Sequence, residues 1–298
     1  MRKVCILMST YNGQKYLKEQ IDSLLCQNDV EITIIVRDDG SSDKTEEFLK
    51  SYSDKGLIYI KGENVGVANS FMELIVNAPM ADYYAFCDQD DVWDNNKLFE
   101  AVRIMESDER NAKLPVMYYS NVKVVNEKLE LIKISDINEK YNNLKTVLLS
   151  NNAIGCTVVF NAILLEKIRL YRPKYIYMHD WWIYLVCLSI KGKVYFDQNA
   201  YINYRQHGSN CVGFATKKRN IRNALFTKAE CIVNKMANEL LKGYGAYMCN
   251  EEREIVETVA KYNQKAIYKI RLLRDDAFYK TRGIGLLVEK IAVLRNRK

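Results

Sequence analysis

Tyr83-Tyr84-Ala85-Phe86-Cys87-Asp88-Gln89-Asp90-Asp91-Val92-Trp93 is an apolar run that ends in three carboxylates within four positions. The apolar part reads as a buried strand. Carboxylates at its end cannot all fold inward, because an unpaired buried charge costs several kcal/mol. Something positive must sit there, and a divalent cation is the simplest candidate. Mg²⁺ and Mn²⁺ take hard oxygen ligands and need only one or two carboxylates when a phosphate supplies the rest. A solvated acidic turn capping the next helix would read the same over this segment alone.

Upstream, three more strands alternate with helices. Val4 to Met8 is continuously apolar, as expected of a strand buried on both faces of a parallel sheet. Ser9-Thr10-Tyr11-Asn12-Gly13 then supplies turn chemistry, and Tyr16, Leu17, Ile21, Leu24 and Leu25 follow at helical spacing. A second strand, Glu31 to Val36, ends in Arg37-Asp38-Asp39-Gly40-Ser41-Ser42-Asp43, with a helix over Thr45 to Tyr52. A third, Leu57 to Ile60, leads through Gly62-Glu63-Asn64-Val65-Gly66 into a helix over Val67 to Asn77.

This alternation predicts right-handed βαβ units around a parallel sheet, an α/β fold. In such sheets ligands bind outside the carboxyl ends of the strands. The clusters Thr10–Asn12, Asp38–Asp39, Asn64–Gly66 and Asp88–Asp91 all fall at those ends, so one rim carries a ligand site. A dinucleotide fold fails a direct check: no G-x-G-x-x-G follows the first strand, and no G-x-x-x-x-G-K-[ST] loop exists. Negative charge lines this rim, so phosphate must arrive with a metal.

With 298 residues, 48% hydrophobic and 27% charged, the chain holds one large α/β domain plus an appendage, or two modest domains. No run approaches the roughly 20 apolar residues of a membrane span, and no signal peptide is read at the start. The eight Cys form no CxxC pair. Cys5, Cys87, Cys156 and Cys187 lie in apolar runs and read as reduced core residues of a cytosolic protein.

Charge divides the chain. Residues 1–213 hold 25 Lys and Arg against 28 Asp and Glu, whereas residues 214–298 hold 19 against 9. A near-neutral body is therefore followed by a basic segment facing something anionic. From Lys217 a helix is expected with Ile221, Leu225, Ile232, Val233, Met236 and Leu240 on one side, broken at Gly243-Tyr244-Gly245. Two more are expected near 251–274 and 284–296, the last with Leu286, Leu287, Ile291 and Leu294 on one face. Such basic amphipathic helices lie on an anionic membrane surface, unless they are a bundle packed on the catalytic domain. Without aromatic–basic interleaving, no nucleic-acid partner is expected.

The four rim clusters, in this order and spacing, resemble the family 2 inverting glycosyltransferases of GT-A fold over roughly residues 1–210. The resemblance implies a mostly parallel central sheet flanked by helices, with a catalytic domain over 1–213 and a C-terminal helical region over 214–298. It implies a donor-nucleotide site formed by Thr10, Tyr11, Asn12, Asn64, Gly66, Asp88 and Gln89. Asp39 would accept the imide N–H of a uracil or thymine. Asp88 and Asp90 would be the DxD pair, holding a cation on the donor diphosphate, with Asp91 as scaffolding. Asp94 or Asn95 is expected to cap the helix carrying Leu98 and Val102.

Further implied roles lie downstream. Asn152, Gly155, Cys156 and Thr157, with His179, Trp181 and Arg205, would border the sugar and acceptor. In Tyr177-Met178-His179-Asp180-Trp181-Trp182, Asp180 would be the catalytic base, a role compatible with capping the following helix. Trp182 is expected in the core. In Tyr204-Arg205-Gln206-His207-Gly208-Ser209-Asn210, His207 would complete the metal or diphosphate site, with Asn210 nearby. The cofactor would be Mn²⁺ or Mg²⁺; imidazole suits Mn²⁺ better.

The Cys87–Trp93 form, with these two later motifs, looks most like the rhamnosyltransferase branch. That implies a dTDP-rhamnose or UDP-hexose donor and a lipid-linked saccharide acceptor, in assembly of a bacterial-type surface polysaccharide. The location implied is the cytoplasm, peripheral on the inner face of the cell membrane. The competing reading is a catalytically silent partner of a polysaccharide assembly complex. A nucleotidyltransferase would need a Gly-rich, Lys/Arg-containing first loop, which Ser9–Gly13 is not.

Overall fold

The computed structural model describes residues 1–52, 56–137, 139–208, 229–280 and 282–295. Strands β1 (Arg2–Thr10), β2 (Val30–Asp38), β3 (Leu57–Lys61) and β4 (Tyr83–Cys87) alternate with helices α1 (Leu17–Leu25), α2 (Thr45–Lys50) and α3 (Val67–Asn77). All four strands are parallel, in the order β3-β2-β1-β4. The chain runs outward from β1 to β3 and then returns to the other side of β1. The strand order therefore reverses between β1 and β4, where α/β sheets bind ligands.

The rest of the sheet is mixed. After β4 come β5 (Val92–Trp93), α4 (Lys97–Met105), β6 (Val116–Val125), β7 (Leu131–Ile134) and α5 (Leu144–Leu149). They are followed by β8 (Val159–Asn161), α6 (Ala162–Arg169), α7 (His179–Ser189) and β9 (Lys193–Arg205). β8 lies antiparallel between β4 and β6, β9 runs parallel to β6, and β5 and β7 add antiparallel edges. The expected parallel character thus holds for the half that carries the rim.

Both faces are covered, which explains the continuous apolar strands. Cys5 and Leu7 of β1 and Tyr84 and Phe86 of β4 pack with α3, α6 and α7 on one side. Val4, Ile6, Met8, Ala85 and Cys87 pack with α1 and α4 on the other.

The C-terminal helices are α8 (Ala229–Tyr244), α9 (Asn250–Lys261), α10 (Ala266–Arg274) and α11 (Ile284–Arg295). The helix expected near 251–274 is two, separated by a turn at 262–265 with no Gly or Pro to announce it. Val233, Met236, Leu240 and Tyr244 are buried in the same core as Trp182 and Leu185 of α7. The amphipathic face of α8 is therefore used up inside the protein. Ile221, Leu225, Ser209 and Asn210 lie outside the described residues, as does the start of the helix expected from Lys217. Among the described residues, no helix is long and apolar enough to cross a membrane. At α4 the expected cap is displaced: the N-cap position is Asn96, and Asp94 instead pairs with Lys123 at 2.6 Å.

Candidate active site

The rim clusters are tied to one another. Gln89 binds the Tyr11 backbone from both sides, accepting its N–H at 2.8 Å and donating to its carbonyl at 3.1 Å. A Cβ on Gly13 would lie 2.3 Å from Gln89 Oε1, so a larger residue there would displace the Gln89 side chain from Tyr11. Asn12, in the left-handed region at φ 49°, accepts the Ser42 N–H at 2.8 Å. Asp38 accepts the Thr10 hydroxyl and the Ser41 N–H, each at 3.1 Å.

Asp39 is paired with Arg37 and accepts the N–H groups of Val65 at 3.0 Å and Gly66 at 2.9 Å. The Asn64 side chain also accepts the Gly66 N–H, at 3.2 Å. Gly66, at φ 81°, turns the chain into α3. Both Asp39 oxygens thus carry protein donors, and a base imide would compete for the remaining lone pairs. Tyr11 is 49% exposed on this rim, while Thr10 is buried beneath it.

The carboxylates at the end of β4 divide into two environments. Asp90 Oδ2 lies 2.7 Å from His207 Nε2. Asp91, expected to be scaffolding, is fully buried; its Oδ1 accepts the Arg205 N–H at 3.0 Å, and its Oδ2 has no hydrogen-bond partner. Asp88, Asp91 and Cys156 bring their ligand atoms within 4.8 Å of one another. Burial first, then the neighbouring carboxylates, raise the pKa of Asp88 and Asp91.

That arrangement fits a hard divalent cation, because clustered carboxylates and an orphaned buried oxygen want positive charge. The Cys156 thiol, which burial keeps protonated, is a poor ligand for Mg²⁺ or Mn²⁺ and backs the site from the core.

Two residues here depart from expectation or were missed. Arg205, expected beside the sugar, is a buried strut. It donates to the Asp90 carbonyl at 2.8 Å and the Glu127 carbonyl at 2.6 Å, pairs with Glu19, and lies over the Tyr16 ring at 4.5 Å. Lys97 was not singled out, yet it is the buried cation beneath the carboxylates. Its Nζ sits 3.2 Å from the Cys156 carbonyl and 3.2 Å from the Trp93 ring centre. Burial pulls its pKa down to about 7, opposed by Asp91 and Asp88 among others. Its helical register with Ala101 and Met105, both buried, was the available signal.

Asp180 stands in the first turn of α7, 4% exposed. Its Oδ1 accepts the Trp181 N–H at 2.8 Å, and its Oδ2 accepts from Asn151 Nδ2 at 2.9 Å. Asn151 Oδ1 in turn accepts the Ala153 N–H at 3.0 Å, which fixes the amide orientation. Burial pushes the Asp180 pKa up to about 6, and these hydrogen bonds oppose it. Its charge also raises Asp88, and Gly155, which lies against Asp180, precedes the Cys156 of the Asp88 cluster.

The neighbours of Asp180 are sorted more sharply than the sequence allowed. His179 stacks on Phe71 at 3.8 Å and meets Phe86 edge-on at 4.5 Å; burial pulls its pKa down to about 3, keeping it neutral. Gly155 abuts the pair: a methyl there would lie 3.5 Å from His179 Nε2 and 3.6 Å from Asp180 Oδ2. Trp181 is a core residue, like Trp182, with its indole N–H on the Val147 carbonyl at 2.6 Å. Thr157 is buried on the Ile154 carbonyl at 2.7 Å. Of the two adjacent asparagines, Asn151, which is not among the expected site residues, reaches Asp180. Asn152 donates to the Tyr141 carbonyl at 2.9 Å.

A strand-end rim, a carboxylate cluster and a buried carboxylate adjoining it are the marks of a glycosyltransferase of GT-A fold. Residues 5–169 match the model of the family described as glycosyl transferase family 2, and the chain belongs to that family. The dTDP-rhamnosyl transferase RfbG of Shigella flexneri is 29% identical over 255 residues, covering 78% of this chain and 84% of that one. TarS 1–349 of S. aureus, solved with UDP-GlcNAc, superposes with a TM-score of 0.57 at 17% identity, over 93% of this chain and 83% of that one. The mannosyltransferase PcManGT of Pyrobaculum calidifontis, solved with GDP-Man and Mn²⁺, gives 0.51 at 15% identity, over 99% and 88%.

Proposed function

We propose that this glycosyltransferase inverts the anomeric carbon, moving L-rhamnose or a hexose from a dTDP- or UDP-sugar to a hydroxyl of a lipid-linked surface polysaccharide. The observation that carries the reading is Asp180: buried, held by Asn151, and adjoining through Gly155 and Cys156 the cluster that contains Asp88. A carboxylate with a pKa near 6 is still ionised at neutral pH and accepts a proton better than an ordinary one. Asp180 takes the proton of the acceptor hydroxyl as that oxygen attacks the anomeric carbon. The bond to the nucleoside diphosphate breaks on the opposite side, and a single displacement inverts the centre.

Asp88, with Asp91 behind it and the Asp90–His207 pair beside it, would hold Mn²⁺ or Mg²⁺, which when bound offsets the charge on the departing diphosphate. The Tyr11 rim and Asp39 receive a pyrimidine base, uracil or thymine alike, and the likeness to RfbG favours dTDP-rhamnose. Contact with an anionic membrane falls to α10 and α11, where Ile267, Ile270, Leu287 and Leu294 are exposed among Lys and Arg side chains. The test is Asp180→Asn: turnover should vanish while nucleotide affinity survives, and retained turnover sinks the base assignment. A thermal-shift screen of dTDP- and UDP-sugars with Mn²⁺ identifies the donor.

A further inference from the structure

Lys280 lies in the segment joining α10 to α11, far from the rim in sequence, yet its ammonium sits on the loop beside Asp180. It donates to Ser150 Oγ at 3.0 Å and to the Asn151 carbonyl at 3.2 Å, and it bonds the Asn152 side chain. Its three protons thus match three acceptors from three consecutive residues. The segment that carries it is itself fixed. Phe278 and Tyr279 are buried, the Tyr279 hydroxyl donates to the Leu272 carbonyl at 3.1 Å, and Asp275 pairs with Lys145 at 2.7 Å. Burial pulls the Lys280 pKa down to about 8, and the charge of Glu289 of α11 opposes this.

We propose that this C-terminal segment belongs to the catalytic apparatus: Lys280 is a positioning residue that fixes loop 150–152 so that Asn151 holds the Asp180 carboxylate. The proposal rests on Asp180 being the base. The link runs from Lys280 to the Asn151 carbonyl, from the Asn151 amide to Asp180 Oδ2 at 2.9 Å, and so to the reacting proton. Among the described residues, Asp88 at the end of β4 and His179 on its own helix are titratable groups near Asp180. Neither is a donor to Oδ2, so the loop supplies the side-chain donor that sets its direction.

The experiment uses the full chain as wild type, Asp180→Asn, Asn151→Ala, Lys280→Met, Lys280→Arg and the Asn151→Ala/Lys280→Met double variant. It measures nucleoside diphosphate release from dTDP-L-rhamnose or UDP-glucose, whichever the wild type turns over, and dTDP or UDP affinity by calorimetry. Asn151→Ala and Lys280→Met should each lower kcat by about 10- to 100-fold, the cost of a misplaced catalytic group, with nucleotide affinity unchanged. Lys280→Arg should recover most of the rate, and the double variant should be no slower than the worse single one, since both act on one link.

An unchanged kcat in Lys280→Met, or losses that multiply, overturns the proposal. Retained turnover in Asp180→Asn removes the base assignment instead, whereas a dead Asp180→Asn beside a normal Lys280→Met removes the positioning role alone. Should Lys280→Met fail to fold, Lys280→Gln, which keeps a donor but not the full set, is read in the same way.

Discussion

Asp90 and His207 meet at 2.7 Å, so the acidic end of the 83–93 segment is closed by a residue just beyond β9. An imidazole that hydrogen-bonds a carboxylate can share a cation with it once the proton is displaced. Asp90→Ala and His207→Ala should each weaken Mn²⁺-dependent binding of dTDP or UDP by at least the roughly 10- to 100-fold that outer-shell changes cost metal sites. Calorimetry with and without Mn²⁺ reads this directly. Equal binding in both conditions would remove these two residues from the metal site.

Lys97 is the buried cation beside Cys87, Cys156, Asp91 and Asp88, whose charges oppose the fall that burial imposes on its pKa. Removing one partner of a buried charge set costs about 3–5 kcal/mol, so Lys97→Met should lower stability by that order. The carboxylates, already raised, would rise further, and a native state that holds protons more tightly than the unfolded chain loses stability as pH climbs. The loss should therefore be larger at pH 8 than at pH 6 in urea unfolding, and Asp91→Asn added to Lys97→Met should recover part of it.

A base must be ionised to accept a proton. With the Asp180 pKa near 6, kcat should fall about tenfold per pH unit below that value and level off above it. A pH–rate profile flat from pH 7 down to pH 5 would contradict the assignment.

His179 is neutral in the fold, with a pKa near 3 against about 6.5 when exposed in the unfolded chain. Between those values the unfolded chain binds the extra proton. Stability from this site is complete above about pH 6.5 and is lost as pH falls toward 3, by at most about 1.4 kcal/mol per pH unit. His179→Phe keeps a ring to stack on Phe71 and has no proton to gain. Its unfolding free energy should depend less on pH over this interval, as measured by urea titration.

Much of the rim was legible because each of its strands announces itself twice, by an apolar run and by the polar residues where the run stops. Val4–Met8 and Tyr83–Cys87 are of this kind, and β1, β4 and α3 fall where the pattern predicts. The rest of the sheet gave weaker signals. β8 is only three residues long, and its antiparallel placement between β4 and β6 depends on tertiary packing that no local period encodes. At the site, residue types pointed to chemistry but not to direction. Asp88, Asp90 and Asp91 look alike in sequence, and only the fold gives Asp90 to His207 and buries Asp91 against Arg205. Trp181 and Arg205 have side chains suited to a sugar, and packing claims both. Asn151, Lys97 and Lys280 matter through partners distant in sequence, so no spacing reveals them.

One stretch, residues 179–207, carries Asp180 at one end and His207 at the other, joined by α7, a tight turn and the 13-residue strand β9. In the proposed mechanism it is a single bracket that spaces proton removal from leaving-group support. Removing one residue within β9 would reverse the side to which every later side chain points. Arg205 would leave its seat under Asp90, and His207 would be withdrawn from the carboxylate while Asp180 stayed in place. Register in one strand, rather than the identity of any ligand, thus keeps the two ends of the proposed reaction in step.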